Sequence, residues 1–214
     1  MAGMAAYVTE DRALPLRERK KLKTRRALAD AALRLFTENG FDATTLDELA
    51  EDAEVSKSTF SRTFPAKEAV GIEAEAELWT ACLTALEDGE LSGHVLTALH
   101  RTLAGAAAGL DPGWDERFLA TRRLIAAEPA LLRYTEHYRA QVKEEIAATL
   151  AARLRLDPDD LRLHVLAELV MTAWSLSGRA WVRRGGKGGR PALLDGFADA
   201  ISAVPASLSL AVPG

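Results

Sequence analysis

A single cysteine, Cys82, stands among the 214 residues, which excludes an internal disulfide and a cysteine-based zinc cluster. A small core thiol is the ordinary reading for it, with an intermolecular bridge or redox switch as the alternative. No run of about 18 apolar residues occurs, so no membrane span is expected. The Met1 to Ala6 start lacks the basic-then-apolar layout of a signal peptide, and the expected location is cytoplasmic. Neither an alternating strand pattern nor an internal repeat is present, which predicts an all-α chain. His94, His100, His137 and His164 include no His-Glu-x-x-His and no pair three or four apart, so no metal is expected. A Gly-x-Ser-x-Gly or other nucleophile motif is missing too; neither catalysis nor a cofactor is expected. Gly185-Gly186-Lys187-Gly188-Gly189 has no Ser or Thr after the lysine and no preceding strand, so it reads as a flexible surface connection, not a phosphate loop.

What is present begins with an uneven charge distribution. The whole chain carries a net charge of −4 and has a pI of about 5.7. Yet Arg12, Arg17, Arg19, Lys20, Lys21, Lys23, Arg25 and Arg26 face only Glu18 in their segment. Such an arm can release counterions along a duplex backbone or enter a minor groove, although a solvated tail is its plain alternative.

Downstream, Thr44 to Lys67 reads as two short helices joined by a tight turn. Thr45 and Glu48 have capping-box spacing, and Leu46, Leu49, Ala50 and Ala53 then share one face. Glu54 and Val55 form the corner. Ser56 is placed to cap the second helix, and Phe60 and Phe64 are its buried face. Lys57, Ser58, Thr59, Ser61, Arg62 and Thr63 are left outward, where short hydroxyls and cations can approach phosphates and base edges. Arg62 and Lys67 are expected on phosphates, and Lys57 and Ser58 at bases.

These residues resemble the tetracycline-repressor (TetR) family of one-component regulators. The likeness runs from Thr24-Arg25 through Ala31-Ala32-Leu33-Arg34-Leu35-Phe36 and Asn39-Gly40-Phe41 to Phe64-Pro65-Ala66-Lys67-Glu68. It implies that Arg25, Thr44, Thr45, Ser56, Lys57, Ser58, Thr59, Ser61, Arg62, Thr63 and Lys67 form the surface for double-stranded DNA. Three positions depart from the family's habit. Glu54 replaces a turn glycine, at about 1 kcal/mol if the backbone there is left-handed. Ser58 stands where glycine is frequent. Ser61 replaces a tyrosine that meets a phosphate, which shifts phosphate affinity toward Arg62, Thr63 or the arm.

Periodicity places a helix from Pro15 to Gly40, a lever helix from Pro65 to about Asp88 that starts in the DNA-binding domain and ends in the second domain, and further helices over about Ser92 to Ala108, Trp114 to Ala127 and Pro129 to Leu154. Asp157-Pro158-Asp159-Asp160 caps another, with Pro158 at a first-turn position, reaching about Arg184; Pro191 opens the last. The expected organisation is a leader over residues 1–16, a three-helix helix-turn-helix domain over 17–68 and a larger helical ligand-binding and dimerisation domain over 69–210.

In the second domain Trp79, Leu83, Trp114, Phe118, Leu119 and Arg122 should surround the middle, together with Tyr134, His137, Tyr138, Met171, Trp174 and Ser175. An apolar pocket with a few polar groups is the general form of a small-molecule site, though each residue alone is more often plain core. The last two helices carry stripes that one small domain would hardly bury. The resemblance implies a four-helix homodimer interface there, with Leu166, Leu169, Val170, Ala173, Leu194, Phe197, Ala198 and Ile201 as candidates. The segment Arg122 to Leu131 is also similar to the C-terminal domain of mycofactocin-type regulators, which implies acyl-CoA-like effectors. The combined expectation is a ligand-responsive dimeric repressor on a pseudo-palindromic operator, released by a small, largely hydrophobic effector. A nonspecific architectural DNA protein and an α-helical enzyme are the competing classes.

Overall fold

The computed structural model describes residues 15–211, so most of the expected leader, with Arg12, lies outside the described residues. Ten helices and no strand make up those described. In chain order they are α1 (Leu16–Asn39), α2 (Leu46–Asp52), α3 (Lys57–Thr63), α4 (Lys67–Gly71), α5 (Glu73–Asp88), α6 (Val95–Gly109), α7 (Trp114–Ala127), α8 (Pro129–Leu154), α9 (Leu161–Arg183) and α10 (Gly189–Leu208).

Local chemistry explains most of the boundaries. The Thr45 hydroxyl accepts from the Glu48 backbone N–H while the Glu48 carboxylate accepts from that of Thr45, closing the capping box of α2. Ser56 and Asp160 cap α3 and α9 through the N–H groups of Thr59 and Arg162. Pro158 therefore sits in the turn before α9, outside its first turn. Pro129 opens α8, where a missing N–H costs nothing. Gly40 ends α1 with a φ of 87° and a ψ of 155°, a positive-φ cap outside the left-handed helical region.

The single helix expected from Pro65 to Asp88 is divided at Ile72 into α4 and α5. A Cβ on Gly71 would lie 2.9 Å from a Leu131 methyl and 3.2 Å from the Phe36 ring. Glycine is thus what lets α4 seat against α1 and α8. Two cores flank this point. The first joins Leu28, Phe36, Leu49, Phe60, Phe64, Val70 and Ile72 to Leu124, Ile125 and Leu131 of α7 and α8. It therefore contains residues on both sides of position 68. The second fills the remaining helices with Leu78, Trp79, Leu103, Trp114, Phe118, Ile146, Trp174, Trp181 and Phe197 among others. Cys82 belongs to it, and burial pushes its thiol up to about 12, far from the reactive thiolate range.

The glycine-rich segment is anchored rather than loose. Arg190 donates through Nε to Asp115 at 2.7 Å and through its guanidinium to the carbonyls of Ala107, Leu110 and Asp111. A cation on the carbonyls at the end of α6 satisfies groups that the helix cannot. Gly185, Gly186, Gly188 and Gly189 all have positive φ, so they make the tight turn that delivers Arg190 there.

Candidate nucleic-acid interface

The corner between α2 and α3 sets the angle of the recognition helix, and Glu54 occupies it with a φ of 53°. That is left-handed backbone, which a side chain opposes by about 1 kcal/mol. Behind the corner Phe60 and Phe64 are buried, with ring centroids 5.9 Å apart. On the other side Lys57, Ser58, Ser61 and Arg62 are exposed. Lys57 reaches Asp47 of α2 at 2.9 Å, an exposed pair that a phosphate can replace at little cost. Arg62 folds back on the Ser58 carbonyl and the Thr59 hydroxyl.

Other residues grouped with this surface turn inward. Thr44 is buried and its hydroxyl donates to the Gly40 carbonyl at 2.8 Å. Thr63 uses its hydroxyl on the Thr59 carbonyl. Lys67, expected on a phosphate, instead donates to the carbonyls of Phe41 at 2.7 Å and Thr44 at 3.0 Å and lies over the Phe41 ring. It is a clamp on the loop before α2. Arg25 donates to Glu73 and to the Thr63 carbonyl and stacks on Phe64, tying α1 to the end of α3 and the start of α5. The spacing of these residues gave no sign of such long-range partners. The outward cations that remain include Arg17, Arg19, Lys20, Lys21 and Lys23, all exposed on the first turns of α1. That part of the arm is helix, not tail.

Three neighbouring residues tie α5 to its surroundings. Glu73 receives Arg25, the Ala74 carbonyl accepts the Trp114 indole N–H at 2.7 Å, and Glu75 receives Arg139 at 2.6 Å and Arg122 at 3.3 Å. Burial raises the Glu73 carboxyl to about 7 even though Arg25 opposes the change. Burial also works to raise Glu75, yet Arg139 and Arg122 together hold it below the ordinary carboxylate value.

Of the residues expected around the middle of the second domain, Trp79, Trp114, Phe118 and Trp174 are fully buried, and Arg122 and Met171 nearly so. Leu83, Tyr134 and Tyr138 are half-buried, while His137 is exposed on α8, away from this core. On the two last helices Val170, Ala173, Phe197 and Ile201 are enclosed by their own chain and so serve its core. Leu166, Leu169, Leu194 and Ala198 are half-buried. On α9 the outward large apolar positions are Leu161, Val165 and Leu176, which continue through Leu169 as a stripe along one face. Their exposure was hidden in the sequence because both faces of α9 are apolar.

The family model for bacterial regulatory proteins of the tetR family matches residues 28–74, and the model for the MftR C-terminal domain matches residues 93–206. The HTH-type transcriptional regulator TcmR of Streptomyces glaucescens is 32% identical over 178 residues, covering 79% of this chain and 77% of that protein. A transcriptional regulator from Rhodococcus sp. Rha1 has a similar fold, with a TM-score of 0.50 and 18% identity over 88% of this chain and 99% of that one.

Proposed function

Since the chain belongs to the TetR family of transcriptional regulators, we propose that it acts as a homodimeric repressor released by a small, largely hydrophobic effector. The observation that supports this most is the position of α4 and α5. Their junction is tied to the helix-turn-helix through Arg25 and Glu73 and to the second core through Ala74 and Glu75. A change in the second core is thereby transmitted to the seat of α3.

In the dimer, two α3 helices enter successive major grooves on one face of a pseudo-palindromic operator. Lys57, Ser58 and Ser61 face base edges while Arg62 and the first turns of α1 hold phosphates. The exposed stripe of α9 supplies the apolar surface that a second copy covers. An effector that prefers a conformer with wrongly spaced α3 helices lowers operator affinity, and by linkage the operator lowers effector affinity by the same factor. Anisotropy titrations on a selected operator and a scrambled duplex at two salt concentrations test the reading. Tighter operator binding at both salts supports it, and equal affinities for the two duplexes contradict it.

A further inference from the structure

The second core contains polar groups that its own chain does not satisfy. Among the described residues, the indole nitrogens of Trp79, Trp174 and Trp181 and the hydroxyl of Thr121 are buried without a hydrogen-bond partner, whereas the fourth indole, Trp114, has one. Buried donors are nearly always paired in native cores, so a group of four asks for a reason. Two of them, Trp174 and Trp181, belong to one aromatic assembly. Phe118 stacks on Trp114 at 4.5 Å and lies 5.9 Å from Trp174 and 6.2 Å from Trp181.

A cation adjoins it. Arg122, next in sequence to Thr121, has its guanidinium carbon 5.8 Å from the Phe118 ring centre. Gly178 of α9 faces the same group: a Cβ there would lie 3.5 to 3.9 Å from the Arg122 guanidinium. Two arginines share the single buried carboxylate of Glu75, and the sharing is unequal. Arg139 holds it at 2.6 Å and has Glu136 as well, while Arg122 has one bond of 3.3 Å. Burial, reinforced by Arg139, pushes the Arg122 guanidinium below its ordinary value despite Glu75. Arg122 is thus left with only a share of Glu75, whereas Arg139 has two carboxylates.

We propose that this core binds an aromatic effector bearing an anionic group such as a carboxylate, with Arg122 pairing the anion and the Trp174, Trp181 and Thr121 donors serving its oxygen atoms. The proposal rests on the effector-responsive reading above. A carboxylate on Arg122 competes with Glu75 for that arginine, and Glu75 lies two residues from the Glu73 that holds Arg25. Occupation of the core therefore acts on the segment that seats the recognition helix.

Calorimetric titration of the DNA-free protein with 2-naphthoate and with 2-naphthamide tests this, because the two share rings and differ in charge. Wild type should bind the acid about tenfold more tightly than the amide. Arg122→Gln should abolish that preference, and Arg122→Lys should keep most of it. Equal affinity of wild type for both compounds, or binding of neither, overturns the proposal; so does an acid preference that survives Arg122→Gln. Should Arg122→Gln fail to fold, the wild-type comparison alone still decides. Adding operator duplex to the same titration separates the two readings: an acid preference with operator affinity unchanged supports the site and removes its regulatory role.

Discussion

Arg25 and Glu73 form a two-pronged ion pair, Nε and Nη2 of α1 on the two carboxylate oxygens at the first residue of α5. The pair binds the helix-turn-helix to the helix that enters the second core. Glu73 is buried and Arg25 half-buried, so the carboxylate bears most of the desolvation.

That imbalance gives a pH dependence of known sign. The Glu73 carboxyl sits at about 7 when folded, above its ordinary value of 4.5. Between these values the folded chain holds the proton more firmly than the unfolded one. Stability from this group is complete below the ordinary value and is lost as pH rises through about 7. Glu73→Gln should therefore show a smaller fall in melting temperature than wild type between about pH 5 and pH 8. Parallel melting curves for the two proteins over that range would contradict the assignment.

Glu54 offers a stability gain. Its left-handed backbone suits glycine, so Glu54→Gly should raise unfolding free energy by about 1 kcal/mol, read by urea denaturation. An unchanged or lower midpoint would mean that the corner is not strained.

Arg62 and Lys67 should separate although both are cations beside α3. Arg62→Ala should weaken binding to operator and scrambled duplexes alike and reduce the salt slope by about one. Lys67→Ala should leave that slope unchanged and cost about 1–2 kcal/mol of stability, since its ammonium serves two backbone carbonyls. Equal salt effects from the two substitutions would return Lys67 to the DNA surface.

The α9 stripe should govern assembly. A carboxylate placed there would be buried unpaired in a dimer, so Leu176→Glu or Val165→Glu should shift micromolar protein from dimer to monomer in sedimentation, with helix content intact. Retention of the dimer by both variants would place the interface elsewhere.

Local signals carried the fold well. Thr45 with Glu48, Ser56, Asp160 and Pro129 each start a helix by chemistry confined to a few residues, and the spacing of Phe60 and Phe64 shows which face of α3 is buried. Long-range pairing was not legible. Arg25, Lys67 and Arg190 look like surface cations in one dimension, and only the folded chain brings Glu73, the Phe41 carbonyl and the end of α6 to them. The division of α4 from α5 was equally hidden, because the reason for Gly71 is a leucine 60 positions away. Burial on α9 and α10 depended on which apolar face meets its own chain, a choice that periodicity leaves open when most faces are apolar.

The most direct test is a footprint on DNA fragments selected by the full chain from genomic DNA. A dimeric TetR regulator should protect one discrete pseudo-palindrome with half-sites about one helical turn or slightly more apart, and Arg62→Ala should lose that protection at equal concentration. Uniform protection without a repeated half-site would contradict sequence-specific regulation by this chain.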